Sequence, residues 1–181
     1  MSDHFGFEFV SLSFFLDKYG EGASQDLLNT FSCQRDHDRE SFLHKKAIMM
    51  EKKSMSRTYL VICQSGSILG YFSIGMRYVR IPDDTPISRT TRRRINIDWE
   101  TGVAQSYLLG QLGRDDQSPK GFGKVLLSEA LRRLMDANRI VGCRMVRLDC
   151  TDDLISYYEG NGFVKVSENE RENLNQMVIL I

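Results

Sequence analysis

The chain of 181 residues has no excess of charge of either sign, because 24 Lys and Arg side chains balance 24 Asp and Glu side chains. No overall basic field is therefore available to attract nucleic acid. Its cysteines show no C-x-x-C spacing and its three histidines are unclustered, which indicates neither a zinc site nor a disulfide framework. We expect reduced thiols and no metal at Cys33, Cys63, Cys143 and Cys150.

Long hydrophobic segments are also missing. The chain has no run of 18 apolar residues and does not begin with a charged-then-apolar signal segment. We therefore expect a cytoplasmic protein without membrane contact. A chain of this length is expected to form a single domain, residues 1–181, that buries about two-thirds of its unfolded surface.

A short loop with two glycines precedes the longest amphipathic helix that the sequence predicts, residues 121–138. The apolar face of this helix holds Leu127, Ala130, Leu131 and Leu134. The first turn of a helix offers about four unpaired N–H groups and a partial positive charge. Because glycine has no Cβ, Gly121 and Gly123 let a phosphorylated ligand approach the backbone. The loop is predicted to hold a diphosphate.

The spacing of this loop excludes the two commonest diphosphate motifs. A P-loop needs a glycine where Ser118 stands and Ser or Thr where Val125 stands. A dinucleotide-binding fingerprint needs a third glycine where Leu126 stands. An isolated pair of glycines also closes turns before core helices, so a purely structural role stays open.

The loop resembles motif A of the GCN5-related N-acetyltransferase (GNAT) family, which reads Gln/Arg-x-x-Gly-x-Gly/Ala. Residues 118–123 read S-P-K-G-F-G, so both glycines match and Ser118 replaces the Gln or Arg. The resemblance implies that backbone amides here bind the pyrophosphate of acetyl-CoA. The cofactor-binding residues it implies are Ser118, Pro119, Lys120, Gly121, Phe122, Gly123 and Lys124.

Residues 148–163 are similar to motif B of the same family, a strand and a short helix with an aromatic-Tyr pair before Gly-Phe. Gly162 is suited to the left-handed residue that ends such a helix. The resemblance implies that Tyr158 is catalytic and donates a proton to the departing thiolate, which a neutral phenol can supply. Tyr157 is expected to pack in the core. Thr151 stands where many members have an Asn that contacts pantetheine.

The family's central strand diverges from its neighbour, which frees amides for the pantetheine arm and the thioester carbonyl. The resemblance assigns these amides to Gln111, Leu112, Gly113 and Arg114. Asp98 and Glu100 precede this strand and are candidates for the general base that deprotonates the amine. Acids at strand starts are usually solvated, and a chain of waters can serve instead.

Hydrophobic periodicity predicts the element order β-α-α-β-β-β-α-β-α-β-β. Ser24 is predicted to cap the first helix, and Phe42, Leu43, Ala47 and Met50 are predicted to share the second. This order is that of the GNAT acyl-CoA N-acyltransferase fold, an α/β (α+β) fold with a central mixed, mostly antiparallel sheet flanked by helices. Strands are predicted at residues 7–12, 58–63, 68–76, 104–112, 145–150, 163–166 and 175–181.

Residues 77–103 are predicted to form a long basic insertion. It is either a solvated loop or a phosphate-binding patch. A weaker resemblance is to bacterial toxin acetyltransferases. It depends on residues 31–33, 42–43 and 56–58 and on two acids, Asp36 and Asp38. Those enzymes acetylate the amino acid on charged tRNA and pair with an antitoxin. The arginines of the insertion are Arg77, Arg80, Arg89, Arg92, Arg93 and Arg94.

Three functions follow from these patterns. The first is an acetyl-CoA-dependent N-acetyltransferase acting on a primary amine of a small molecule or peptide. The second is a toxin-type enzyme acting on aminoacyl-tRNA, with tRNA contacts through Arg92, Arg93 and Arg94. The third is a non-catalytic acyl-CoA-binding module, since Ser118 and Thr151 replace the usual family residues. A homodimer stays open in each case.

Overall fold

The computed structural model describes residues 6–85, 87–95, 97–169 and 173–181. Its strands are β1 (Phe7–Ser11), β2 (Ser56–Cys63), β3 (Ile68–Arg80), β4 (Val103–Arg114), β5 (Met145–Cys150), β6 (Val164–Asn169) and β7 (Leu174–Leu180). Its α-helices are α1 (Leu12–Leu28), α2 (His37–Lys45), α3 (Ala47–Lys52), α4 (Arg89–Arg94), α5 (Phe122–Val141) and α6 (Ile155–Glu159), and a 3₁₀ turn (Asp152–Leu154) precedes α6.

The seven strands form one sheet in the order β1-β2-β3-β4-β5-β7-β6. Four pairs are antiparallel, β1 with β2, β2 with β3, β5 with β7 and β6 with β7, and β4 pairs parallel with β5. The predicted α+β class with a mixed, mostly antiparallel sheet is therefore confirmed. The chain also divides into two compact units, and β3, β4 and α5 each contribute residues to both.

The first unit comprises the residues up to Gly75 together with Gln111–Ala130. Helix α1 begins at Leu12 because the hydroxyl of Ser11 accepts the amide of Phe14 at 3.2 Å. One apolar cluster joins α1, α2 and α3 to β2 and β3. Its fully buried members include Leu12, Leu28, Leu43, Leu60 and Tyr71. A second cluster, under the start of α5, contains Val61, Leu69, Phe122 and Leu126.

Two helix predictions in this unit are wrong. Ser24 does not cap α1, which begins twelve residues earlier and is interrupted at Gly20, where φ is 80°. The hydroxyl of Ser24 instead donates to the carbonyl of Gly20 at 2.7 Å, inside the helix. The predicted second helix is two helices, because the backbone leaves helical geometry at Lys46. Helix α2 is capped by Asp36, whose carboxylate accepts the amide of Arg39.

The second unit comprises Met76–Gly110 and Leu131–Ile181. The prediction of a long connection over residues 77–103 is wrong in part, since β3 continues to Arg80 and α4 forms within the segment. Ile81, Ile95 and Ile97 are buried and pack against the sheet, which holds the segment in place. Other members of this cluster are Val79, Ala104, Met145, Val166 and Val178.

Three further findings concern the described part of the chain. No helix there has the length and apolar character needed to cross a bilayer. The four cysteines are free thiols. No group of three or more His, Cys, Asp or Glu side chains in the described ranges is arranged to hold a metal ion.

Candidate functional site

The loop between β4 and α5 is shaped by a buried carboxylate, that of Asp115. One of its oxygens accepts the amide of Gln117 at 2.9 Å, and the other accepts the amide of Ser32, also at 2.9 Å. The Asp115 carbonyl accepts the Ser118 hydroxyl at 2.7 Å. Because Asp115 is only 7% exposed, these bonds are shielded from water and hold the loop in one conformation.

The next residue, Asp116, ties the same loop to the segment between α1 and α2. Its carboxylate accepts the Gln34 amide at 3.0 Å, the Ser32 hydroxyl at 2.9 Å and the Arg35 guanidinium at 3.2 Å. The Gln34 amide lowers the pKa of Asp116 below its usual range, and Ser32 and Arg35 act in the same direction. Both acids of the loop therefore turn their oxygens toward protein donors.

Three backbone amides at the start of α5 are available to a ligand. The Phe122 amide donates to Pro119 at 3.1 Å and the Lys124 amide to Gly121 at 3.0 Å. Within the described ranges, the amides of Lys120, Gly121 and Gly123 donate to no protein acceptor. Gly121 has a φ of +84°, and a Cβ there would meet no atom within 4 Å. Open space therefore adjoins the backbone at Gly121.

Two side chains around these amides hold the loop in place, and two lysine side chains are exposed to solvent. Phe122 is buried, and its ring contacts the ring of Phe7 with centroids 5.3 Å apart, which anchors the first turn of α5. Arg114 donates to the carbonyl of Pro119 at 3.2 Å and holds the loop from the strand side. The side chains of Lys120 and Lys124 are exposed. Unbonded amides at the start of a 20-residue helix and two exposed lysines are the kind of groups that an anion can contact.

The last residues of β4 lie in the same unit as this loop. Parallel pairing of β4 with β5 is found at Tyr107 and Leu108, and among the described residues the later part of β4 has no ladder partner on β5. Gln111, Leu112 and Arg114 are half-buried there. Gly113 is required by packing, because a Cβ would lie 2.5 Å from the ring of Tyr71. Burial raises the pKa of Tyr71, whose hydroxyl donates to the carbonyl of Arg39.

Tyr158 lies in the second unit, on α6, where it is 5% exposed. Its ring packs edge-on against Tyr157 and Phe163, with centroids 5.1 and 5.6 Å apart. Gly162, at a φ of +90°, reverses the chain so that the Phe163 amide donates to the Tyr158 carbonyl. The Tyr157 side chain is half-buried, and its buried hydroxyl has no hydrogen-bond partner in the described part of the chain. Burial raises the pKa of Tyr157.

Thr151 is exposed at the end of β5, and its hydroxyl donates to the carboxylate of Asp153 at 2.5 Å. A residue that sequence reasoning missed supports this turn. Asn175 of β7 is buried and donates to the Cys150 carbonyl at 3.3 Å and to the Asp152 carboxylate at 2.7 Å. Asn175 is the register partner of Cys150, and nothing in the local sequence signals that contact.

The two candidate bases, Asp98 and Glu100, lie together in an exposed turn before β4. The amides of Thr101 and Glu100 each donate to the Asp98 carboxylate at 3.0 Å. These bonds, that of Thr101 first, lower the pKa of Asp98 below its usual range. A carboxylate with a lowered pKa is a weaker proton acceptor, so the geometry assigns Asp98 to the turn.

The structure separates the three arginines predicted to contact tRNA. Arg92 is turned inward, and its guanidinium donates to the carbonyls of Pro82 at 2.6 Å and Asp83 at 3.0 Å. Arg92 therefore closes the segment on itself, which corrects its prediction as a free phosphate contact. Arg93 and Arg94 are exposed.

The predicted site residues fall into two groups. Residues 111–114 and 118–124 belong to the first unit, where the hydrogen bonds of Asp115 and Arg114 connect them. Thr151 and Tyr158 belong to the second unit. The loop between β4 and the long α5, in a mostly antiparallel sheet whose parallel pair is β4 with β5, is the arrangement of the GNAT acyltransferase fold.

Particular structures with this fold are the proteins KacT and AtaT. A Tyr-to-Phe mutant of KacT is 17% identical to this chain with a TM-score of 0.74, over 96% of this chain and 94% of that one. AtaT complexed with acetyl-methionyl-tRNAfMet is 17% identical with a TM-score of 0.73, over 94% of each chain. AtaTR bound with acetyl-CoA is 17% identical with a TM-score of 0.65, over 94% of this chain and 91% of that one.

At these identities the likeness shows the fold. It confirms the predicted GNAT fold and, at the level of the fold, the resemblance to toxin acetyltransferases, since AtaT is described as a toxin. No protein-family model and no curated protein matches the sequence.

Proposed function

We propose that this protein is an acetyl-CoA-dependent N-acetyltransferase whose acceptor is the amino group of an aminoacyl-tRNA. The observation that carries the proposal is the set of three amides at the start of α5, of Lys120, Gly121 and Gly123, that donate to no protein acceptor in the described ranges, with open space beside Gly121. Their fold is one in which AtaT binds acetyl-CoA. The complex of AtaT with acetyl-methionyl-tRNAfMet supports this acceptor over a small-molecule or peptide amine.

The residues present fit a coenzyme A diphosphate. The three amides can each donate to a phosphate oxygen, and the exposed Lys120 and Lys124 side chains add positive charge. The carboxylate oxygens of Asp115 and Asp116 accept bonds from protein donors, and the Arg35 guanidinium offsets part of the charge of Asp116. The amides at the end of β4 are assigned to the pantetheine arm. When bound, acetyl-CoA supplies an acetyl group activated as a thioester.

Acetyl transfer requires a proton donor for the sulfur that departs. We assign this role to Tyr158, the tyrosine that matches the family's motif B, because a phenol is a proton donor of the kind this step needs. Burial of the neighbouring Tyr157 raises its pKa, so its hydroxyl stays protonated, and a matched pair of variants separates the two residues. We assign removal of the amine proton to water, because the lowered pKa of Asp98 makes that carboxylate a weak base.

The test of the catalytic assignment is Tyr158→Phe, measured as release of free thiol from acetyl-CoA in the presence of aminoacyl-tRNA. We expect kcat to fall by about 100-fold or more, because general acid catalysis contributes on that order. The KM for acetyl-CoA should stay unchanged. Tyr157→Phe is the matched control and should retain most of the activity; a loss in Tyr157→Phe with normal turnover in Tyr158→Phe would exchange the two roles.

The cofactor and the acceptor are tested separately. Calorimetric titration of the purified protein with coenzyme A should show saturable binding, and its absence would remove the acetyltransferase proposal. Acetylation is then compared between aminoacyl-tRNA and a panel of free amines. Turnover with free amines alone would keep the enzyme class and overturn the aminoacyl-tRNA acceptor. Binding of coenzyme A without transfer to any amine would leave the binding-module alternative.

A further inference from the structure

The second unit exposes two large aromatic side chains beside the end of β3. Tyr78 is 65% exposed and Trp99 is 73% exposed. Trp99 is also the single tryptophan of the chain. Tryptophan is on average a highly buried residue in folded proteins, so this degree of exposure requires an explanation.

Trp99 is presented by a turn with a defined conformation. The carboxylate of Asp98 accepts the amides of Glu100 and Thr101, and the Gly102 amide donates to the Asp98 carbonyl at 2.8 Å. The Ile81 amide donates to the Gly102 carbonyl at 2.9 Å, so the turn lies beside the end of β3. These bonds fix the backbone on both sides of an indole that contacts mostly solvent.

The backbone of Tyr78 is held from within the unit. Its carbonyl accepts a bond of 2.8 Å from Arg147, which is 7% exposed. The other nitrogens of Arg147 donate to both carboxylate oxygens of Asp149 at 2.9 and 2.8 Å. Because successive side chains of a strand point to opposite faces, Tyr78 shares its face of β3 with Arg80. An ion pair between the buried Arg147 and the half-buried Asp149 thus supports the backbone of an exposed ring that has an arginine on the same face of the strand.

The segment that contains these two aromatic residues has an excess of positive charge. Arg77 and Arg80 flank Tyr78 and are exposed, as are Arg93 and Arg94 on α4. Residues 77–103 hold six arginines against four acids. The acids are Asp83, Asp84, Asp98 and Glu100, and the carboxylate of Asp98 is occupied by two amides.

We infer that Tyr78 and Trp99 form a stacking surface for unpaired nucleotides of the RNA acceptor, with Arg80 contacting the phosphates. The inference rests on the proposed acceptor. Aromatic rings beside arginines are the arrangement by which proteins bind single-stranded RNA, since every base has a face that stacks. A second copy of this chain fits less well, because a symmetric contact would bring the same arginines face to face.

The experiment uses Trp99 as its own probe. The intact protein is titrated with a single-stranded RNA of roughly ten nucleotides, which covers one site of this kind, and with a duplex of the same length. We expect the single strand to quench the tryptophan fluorescence and to bind more tightly than the duplex. The affinity is then measured by anisotropy of labelled RNA for Tyr78→Ala and Trp99→Ala, each of which should weaken binding about tenfold.

Two controls keep the result specific. Tyr19→Ala removes a tyrosine of similar exposure, 53%, from the first unit and should leave RNA affinity unchanged. Trp99→Tyr keeps an aromatic ring and should retain most of the binding, while thermal unfolding verifies that each variant is folded. Three results would each overturn the inference: unchanged RNA affinity in both alanine variants, equal affinity for the duplex and the single strand, or a change of oligomeric state in Trp99→Ala.

The failure of the proposed function gives a different pattern. Coenzyme A binding is measured on the same variants and depends on the first-unit loop rather than on Tyr78 or Trp99, whereas turnover with aminoacyl-tRNA depends on both the loop and the stacking surface. Suppose that the wild-type protein binds RNA but neither binds coenzyme A nor acetylates aminoacyl-tRNA. That result would overturn the enzyme proposal and leave the stacking surface supported. Wild-type protein that acetylates aminoacyl-tRNA, with no loss in either alanine variant, would sink the stacking surface alone.

Discussion

The loop before α5 and the basic segment between β3 and β4 use their charged residues in opposite ways. The loop has two acids, yet both carboxylates accept bonds from protein donors, and this leaves three amides for an anion. The segment has six arginines, and Arg92 is turned inward onto backbone carbonyls. The comparison teaches that local charge does not identify a binding surface. The hydrogen bonds that each charged group already makes decide what remains for a ligand.

The largest expected effect is that of Asp115→Ala in the loop. Removing this buried acceptor leaves the amides of Ser32 and Gln117 unpaired, so the free energy of unfolding should fall by about 2–4 kcal/mol. Coenzyme A affinity should fall with it, because the loop loses its conformation. Urea unfolding and calorimetry measure the two quantities. Unchanged stability would show that Asp115 does not shape the loop.

In the basic segment, Arg92→Ala and Arg93→Ala should act differently. Arg92→Ala should lower the free energy of unfolding by about 1–2 kcal/mol, because two backbone carbonyls lose a charged donor. Arg93→Ala should change stability by no more than about 0.5 kcal/mol and reduce the salt dependence of RNA binding by about one unit of slope. Loss of RNA affinity in Arg92→Ala alone would reverse the comparison.

A smaller effect is expected for Gly121→Ala. The φ of +84° costs an L-residue about 1–2 kcal/mol, although its Cβ meets open space. A methyl group there also crowds the approach of a diphosphate, so coenzyme A affinity should fall. Gly123→Ala is the matched comparison. Position 123 lies within α5, where alanine is favoured over glycine, and the family motif accepts Ala there, so it should weaken coenzyme A binding less than Gly121→Ala does. Equal affinities in the two variants would contradict the assignment of the loop amides.

The smallest expected effect is on the pH dependence of stability, to which one carboxylate in each region contributes. The pKa values of Asp116 and Asp98 are both lowered in the folded protein, so each stabilises it above the unfolded pKa of about 3.9. This contribution is lost as the pH falls through the lower folded pKa. Unfolding of Asp116→Asn and Asp98→Asn should therefore differ from wild type at neutral pH and converge with it in acid. A difference in stability that persists in acid would show that the side chain stabilises the protein in a way that does not depend on its charge.

Much of the fold was predictable because local patterns agree with the final contacts. The β2–β3 hairpin, β4 and α5 were all predicted within a few residues of their bounds, since apolar periodicity there matches the buried faces. The prediction failed at Ser24 and in residues 77–103. A serine looks the same whether it caps a helix or bonds back inside one, and the burial of Ile95 and Ile97 depends on packing partners distant in sequence.

By itself, the sequence determined the class of fold, the glycines that open α5, and the candidate residues of the diphosphate loop. Gly121 was recognisable because its role depends on its own backbone, and Gly162 for the same reason. Only the tertiary structure decided which charged groups already have hydrogen-bond partners within the protein. Asp115 shapes the loop and Arg92 is turned inward. Asn175 supports the turn after β5. The physical reason is that a hydrogen bond between residues far apart in the chain leaves no trace in the local pattern of either one.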